Sequence, residues 1–582
     1  MRARSFCPRR RLVDAIESGL SRSGTSLGRL VSACLATAAL ACACCPASDA
    51  LATTYVVDTN GDPGPGGTTS LRQAVTAANG AADNFVQFAP ALNGSTITLA
   101  SGEIAINQPM TVVGPGADKL TISGNDTSRI FNISTASTTP IAVTLAGLSL
   151  NHGHATGNNL GGAILTSNVS LTLQDVVLES NYALQGGAIF LHSDTGVASA
   201  SKLMRTTVAN NNAKAIFGIA GGILAGGGAT LQIADSSISA NMSGQDGGGL
   251  IYNVATTTIS NSQVTGNHTA SGAGGLAIFR ASSLVGTFGA TISNSTISGN
   301  TTTGNGGGLS VINVVATLTG DTIVGNSAAN YGGGIFVFDS TSPTATQLNL
   351  QQSSVSGNSA NSFGGGIDVS GALSVSIERS LVALNSVYDA GGGGGGVALH
   401  YAKTSASIDN STIYGNYAYN NGGGVGIFAA ATGNVTTFSN TTIVGNFTFN
   451  YASNGILGAG TSHILGCVVA NNASHSSNQD VDGTFAETYS LIRNVGSATL
   501  LVAPGNKNGQ DPLLGALAVN GGPTLTMMPA LSSPVLDAGD PALTNGSDQR
   551  GLSRVVNGRA DMGAVERQYP EDVIFRDGFD SS

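Results

Sequence analysis

From about residue 120 to residue 475, short runs in which an apolar residue is flanked by Ser or Thr recur along the chain. Thr296-Ile-Ser298 and Thr322-Ile-Val324 are typical: each is closed by Gly-Asn, followed by a glycine cluster and then by a second β-branched run such as Leu309-Ser-Val311 or Ile335-Phe-Val337. Alternation with period two predicts strands, and so does the enrichment in Val, Ile and Thr between Gly, Asn and Ser breakers. No long segment with a 3.6-residue period lies between these runs.

The phrase recurs thirteen times. Its closing asparagines are Asn125, Asn151, Asn181, Asn211, Asn241, Asn267, Asn300, Asn326, Asn358, Asn385, Asn416, Asn446 and Asn471, spaced 25 to 33 residues apart. A period near 29 residues signals stacked coils. Three short strands per coil, paired in parallel with the coils above and below, satisfy the backbone, so the expected fold is an all-β, right-handed parallel β-helix of about 13 coils. Glycine triplets such as 306–308 supply corners where backbones approach closely. Stacked asparagines bond their own turn and the next coil's amide, so Asn241, Asn267, Asn300, Asn326, Asn358, Asn385, Asn416 and Asn446 are assigned to a structural ladder.

Both ends depart from the repeat. Seven arginines within the first 29 residues precede an uncharged apolar run, Leu30 to Cys45, and Ala50-Leu-Ala52 offers a small-residue cleavage site. Residues 1–52 therefore read as a signal peptide, and no membrane span is expected in the mature chain. Residues 53–118 are assigned to an N-terminal cap with a short amphipathic helix over Thr69–Asn79, and 119–500 to the repeats. Residues 501–566 form a C-terminal cap, and 567–582 a sorting-like tail.

Thr69-Ser-Leu-Arg-Gln-Ala74 resembles the Cys-Ser-Leu-Arg-Glu-Ala (CSLREA) module of secreted bacterial β-helix proteins, with Thr and Gln replacing Cys and Glu. Gly161-Gly-Ala-Ile164 and Gly186-Gly-Ala-Ile189 resemble polymorphic outer-membrane protein repeats, although Ile, Val or Leu replaces the Phe of their Phe-x-x-Asn hallmark. Gly521-Gly-Pro-Thr524, Ser533-Pro-Val-Leu-Asp-Ala-Gly539 and Asp561-Met-Gly-Ala-Val-Glu566 resemble the choice-of-anchor Q domain. These resemblances imply a secreted protein, extracellular or on the outer-membrane surface of a Gram-negative bacterium. They fix architecture better than activity.

Composition narrows the function. Removing the seven basic and three acidic residues of 1–52 from the chain's 23 and 33 leaves a net charge of about −14, with no basic stripe, which argues against nucleic acid. Cys467 is the single cysteine beyond the leader, and its Ile464-Leu-Gly-Cys-Val-Val-Ala setting predicts a buried thiol.

Candidate chemistry is sparse. Asp175, Arg205 and Asp235 fall in one column, each six residues before its marker asparagine, and read as a turn position. Arg280, Asp339 and Asp368 follow glycine corners at differing offsets. Asp58, Asn60 and Asp62 match the first half of a Ca²⁺ loop, so Ca²⁺ is the one ion the sequence suggests; no other cofactor is expected. The sharpest anomaly is aromatic: Tyr388, Tyr417, Tyr419, Phe447, Phe449 and Tyr451 crowd the turns just past Asn385, Asn416 and Asn446, a strip suited to sugar faces or to an apolar partner surface. The leading expectation is a monomeric, non-catalytic, adhesin-like protein binding a polysaccharide or a cell-surface ligand. The alternatives are a lyase or glycoside hydrolase acting on acidic polysaccharide, and a purely structural envelope protein. An aromatic or acidic groove across the outer strands would favour the enzyme.

Overall fold

The computed structural model describes residues 52–568, apart from 157–158, 214–216, 285, 287, 341–345, 401–405, 429–434, 451–453 and 502. The leader reading and most of the tail reading lie outside the described residues. The chain winds into an all-β, right-handed-type parallel solenoid of about 14 turns with almost no helix. The markers undercount the turns because the first ones, carried by strands such as Thr54–Val57, Asn84–Phe88 and Met110–Val113, stack without the repeated phrase.

One coil shows the pattern. A corner strand, Leu309–Ile312, follows the glycines; a long strand, Val315–Thr319, a middle strand, Thr322–Val324, and a short strand, Ser327–Ala328, complete the turn. Corner and long strands together form a 29-stranded sheet, middle strands a 15-stranded sheet and short strands a 10-stranded one. Pairing is in register, so like residues stack. Ile297, Ile323, Val355, Val382, Ile413, Ile443 and Val469 form one continuous buried column down the middle strands. Burying each such side chain contributes about 1.5–3 kcal/mol relative to leaving it exposed.

Two polar ladders join the coils. Asn300 uses its amide fully. Its Oδ1 accepts the backbone N–H of Asn267 at 3.0 Å and the Asn267 Nδ2 at 2.9 Å, while its Nδ2 donates to Asn326 Oδ1 and to the Val264 carbonyl, both at 2.9 Å. That is the complete capacity of an asparagine side chain. The same bonds run rung by rung from Asn181 through Asn211, Asn241, Asn267, Asn300, Asn326, Asn358, Asn385, Asn416 and Asn446 to Asn472. Three markers lie off the ladder: Asn125 is exposed with a left-handed φ of 56°, Asn151 is a strand residue opposite Glu179, its rung being occupied by Gly153, and Asn471 takes a left-handed φ of 58° that hands the rung to Asn472. Asp480 ends the ladder because three donors converge on it, the N and Nδ2 of Asn472 and the N of Asn494, and an amide cannot accept at both ends.

A second ladder, absent from the sequence reading, lies five residues earlier. The backbone N–H of Ser236 donates to Ser262 Oγ, Ser262 to Ser295, Ser295 to Asp321, Asp321 to Ser353, Ser353 to Ser380 and Ser380 to Ser411. Cys467 occupies one of its rungs, its sulfur accepting from Thr441 N, and burial pushes the thiol up to about 12. The column of Asp175, Arg205 and Asp235 immediately precedes this ladder with φ of 47° to 54°, a left-handed turn.

The glycine corner obeys sterics. Gly332 has a φ of +62°, and a Cβ on Gly333 would lie 2.3 Å from Ser359 O and 2.4 Å from Gly365 O. The third glycine of each corner abuts the next rung's asparagine, as Gly334 does Asn358, which is why the offset from Asn to Gly stays fixed.

Helix α1 (Leu71–Ala78) is started by a capping box, Ser70 with Gln73, and buries Leu71, Ala74, Val75 and Ala78 against the first strands. Residues past 513 run along the flank of the solenoid. Met527, Val535 and Met562 cover the outward Val444, Val468 and Ala470, and Gln549 Oε1 accepts from Thr412 Oγ1 at 2.6 Å. No helix among the described residues is long and apolar enough to cross a membrane.

Candidate binding cleft on the outward face

In each corner strand the second and fourth residues face outward. Register stacks the second residues as Leu165, Phe190, Leu224, Leu250, Ala277, Ser310, Phe336, Asp368 and Ala398. It stacks the fourth as Ser167, His192, Gly226, Tyr252, Phe279, Ile312, Phe338, Ser370 and His400. Polar residues are the usual covering of an outward strand face, so two largely apolar columns mark this face as a working surface.

On the rungs of Asn181, Asn211 and Asn241 the face is open. A cleft of about 840 Å³ has Phe190, Leu224, Leu250 and Tyr252 as its floor, with Gln185 and Ile219 on the corner side and Leu284 and Phe288 on the loop side. Gly226 leaves the gap between His192 and Tyr252; a Cβ there would meet only the Leu191 carbonyl oxygen, at 3.9 Å. Tyr252 stacks on Phe279 with ring centroids 5.3 Å apart. At the rim Asp194 accepts from Asn168 Nδ2 at 2.8 Å and lies 3.2 Å from His192 Nε2. These bonds, Asn168 first, hold its carboxyl below the usual range. Among the described residues, no Lys or Arg lines the cleft.

Five rungs further the same face is filled. Tyr331 and Phe363 occupy the corner column where Gln185 and Ile219 stand in the cleft. Phe363 meets His400 edge-on at 4.2 Å and Phe428 at 5.0 Å, and His400 stacks on Phe428 at 4.8 Å. Beneath them Asp368 is 1% exposed, with its Oδ2 3.4 Å from His400 Nε2. Burial pushes the Asp368 carboxyl well above the usual range and the His400 imidazole down to about 4, so burial biases each towards its neutral form.

The sequence-predicted sites fall elsewhere. Tyr417 and Phe447 stand outward on short strands and stack at 6.0 Å; Tyr419 and Phe449 form a neighbouring column at 5.3 Å. Tyr388 approaches Tyr417 at 6.1 Å, and Tyr451 lies outside the described residues. His475, which the sequence reading missed, extends the second column by stacking on Phe449 at 5.7 Å. Both oxygens of Asp62 bind Arg72 at 2.8 Å, Asp58 accepts from Thr69 N, and Asn60 is exposed. The described residues hold no group of three or more His, Cys, Asp or Glu able to bind a metal. Arg280 is buried beside Phe288, 5.6 Å from its ring. Aligning the second and fourth residues after each glycine corner, rather than the asparagines, is the signal that would have found the cleft.

No protein-family model and no curated protein matches the chain. Among solved structures it is similar to the periplasmic alginate epimerase AlgG, at 10% identity over 72% of this chain and 84% of that one, with a TM-score of 0.35. It is also similar to pectate lyase Pel9A, at 13% identity over 89% and 96%, with a TM-score of 0.26. Identities and scores this low transfer no chemistry to the chain.

Proposed function

We propose that this is a secreted or surface-displayed glycan-binding protein that lays a neutral polysaccharide segment in the cleft floored by Phe190, Leu224, Leu250 and Tyr252. The observation that carries the reading is the recessed aromatic and aliphatic floor with a polar rim. Apolar faces of pyranose rings pack on such floors, while Asp194, His192 and Asn253 offer hydroxyl partners. An acidic polymer would meet Asp194 with no Arg or Lys among the described lining residues; the aromatic groove also suits the enzyme reading, for which His192 and Asp194 are the groups able to move a proton, and chain-length analysis separates the two. The leader-like N-terminus and the resemblances to CSLREA, outer-membrane repeat and choice-of-anchor Q sequences support display outside the cell.

The test is calorimetry and chain-length analysis of residues 53–582 with cello- and xylo-oligosaccharides and with polygalacturonate. Binding of a neutral oligosaccharide at unchanged length is expected, and Gly226→Phe, which fills the gap without backbone strain, weakens it about 100-fold or more. Shortened chains establish the enzyme instead. Binding of polygalacturonate alone, or binding unaffected by Gly226→Phe, overturns the cleft.

A further inference from the structure

We infer that the aromatic strip on the short-strand face is a second glycan-binding surface, separate from the cleft, that anchors the protein to an insoluble neutral polysaccharide. Six rungs separate Tyr252 in the cleft from Tyr417 in the strip, roughly 29 Å at strand spacing, and the two lie on different sheets. One glycan segment cannot fill both.

The outward column of the short strands runs from His154, Tyr182, Asn212, Met242 and His268 through Thr301, Ser327, Ser359 and Ser386 to Tyr417 and Phe447. Over the rungs of Asn300 to Asn385 the column holds only Thr and Ser, and on the next two rungs it holds rings that stack on each other. The rings form two adjacent columns with centroid spacings of 5.3 to 6.0 Å, somewhat longer than the strand spacing of about 4.8 Å, as rings on successive coils offset or tilt against one another, and Tyr388 approaches Tyr417 across the columns at 6.1 Å. Tyr388 is 59% exposed and Phe449 43%. Tyr417, Tyr419 and Phe447 are half-buried, so the rings stack on one another along the columns and leave Tyr388, Phe449 and the ring edges in water.

Charge selects the occupant. From Ser380 to Ile492 the sequence contains one Lys, Lys403, and no Arg, in a chain with an acidic balance. Among the described residues, Arg493 bonds Asn471 at the last rung of the strip and is paired with Asp511, so a polyanion would find little free counter-charge there and would be repelled by the molecule's acidic field. Neutral hydrogen-bonding groups flank the rings instead: Ser386 Oγ bonds Tyr388 Oη at 2.9 Å, and exposed Asn450 donates to Asn420 Oδ1 at 3.4 Å. Phenol, amide and hydroxyl groups around flat apolar rings complement a neutral sugar, which has a C–H face and a hydroxyl rim.

The experiment is depletion of the full mature chain from solution by amorphous cellulose and, in parallel, by an alginate gel. The wild type is expected to be depleted by cellulose and not by alginate. Tyr419→Ser with Phe449→Ser weakens retention about tenfold or more. Tyr419→Phe with Phe449→Tyr, which keeps both rings, retains it, and this second variant separates ring chemistry from any loss of folding. Gly226→Phe leaves retention unchanged, so failure of the cleft reading and failure of this one are distinguishable. Retention that survives the Ser double variant, or its absence in the wild type, overturns the inference. So does a concentration-dependent dimer that the Ser variant abolishes, since the strip would then pair with a second copy of the chain.

Discussion

The outward face of the corner strands is open over the rungs of Asn181 to Asn241 and closed over those of Asn326 to Asn416, although the ladder beneath it is the same. The difference lies in the corner column, where Gln185 and Ile219 give way to Tyr331 and Phe363, and in Phe428, whose ring occupies the space above two glycines. A Cβ on Gly426 would sit 2.4 Å from that ring and one on Gly393 2.6 Å from it. A solenoid face is thus a template on which one rim residue per coil decides between a cleft and a packed cluster. Protonation follows the same division: Asp194 at the open rim is held low by its hydrogen-bond donors, whereas Asp368 under the closed cluster is pushed up by burial.

If the ladder is common to both halves, breaking it should cost the same in each. Asn211→Ala and Asn385→Ala each strand buried partners on two neighbouring rungs and are expected to destabilise by about 1–3 kcal/mol, read by chemical denaturation. A large difference between them would mean that the overlying face contributes to the ladder. Gly426→Ala tests what closes the second half. Its Cβ displaces the Phe428 ring, so a loss of about 1–2 kcal/mol is expected, while Gly226→Ala in the open half, where the added methyl meets nothing closer than 3.9 Å, is expected to be neutral within about 0.5 kcal/mol.

The smallest effect is in pH. A raised carboxyl stabilises the fold fully below its unfolded pKa and loses that contribution as pH rises towards its folded value, so Asp368 favours acid. A lowered imidazole stabilises above its unfolded value of 6.5 and loses the contribution as pH falls from there to about 4, so His400 favours neutral pH. Asp368→Asn is therefore expected to melt above the wild type at pH 8, with the gap closing on acidification towards pH 4. A gap that widens on acidification would show that Asp368 is ionised in the native protein.

The middle-strand core and the asparagine ladder were legible because each is a column of like residues that stacking in register enforces. Ile297, Ile323 and Val355 repeat because every coil must fill the same interior, and Asn300 and Asn326 repeat because each amide needs the next. The serine ladder escaped notice because a rung occupied by Asp321 or Cys467 breaks the pattern while accepting the same N–H. The shift from Asn471 to Asn472 has a similar origin: two adjacent asparagines are equivalent in sequence, and only the left-handed φ of the first decides between them.

The chain by itself determined its winding: period-two strands, glycines where backbones touch, and amides that complete one another from coil to coil are local requirements repeated along the sequence. The tertiary structure alone decided what faces outward and what covers it. Whether Phe190 floors a cleft or Asp368 is sealed under Phe363 depends on rim residues and loops of unequal length brought together across coils. Likewise, Gln549 reaches Thr412 across 137 residues of chain. Stacking constrains the interior at every rung and leaves the outward positions free, so the fold is written in the repeat and the candidate sites in its exceptions.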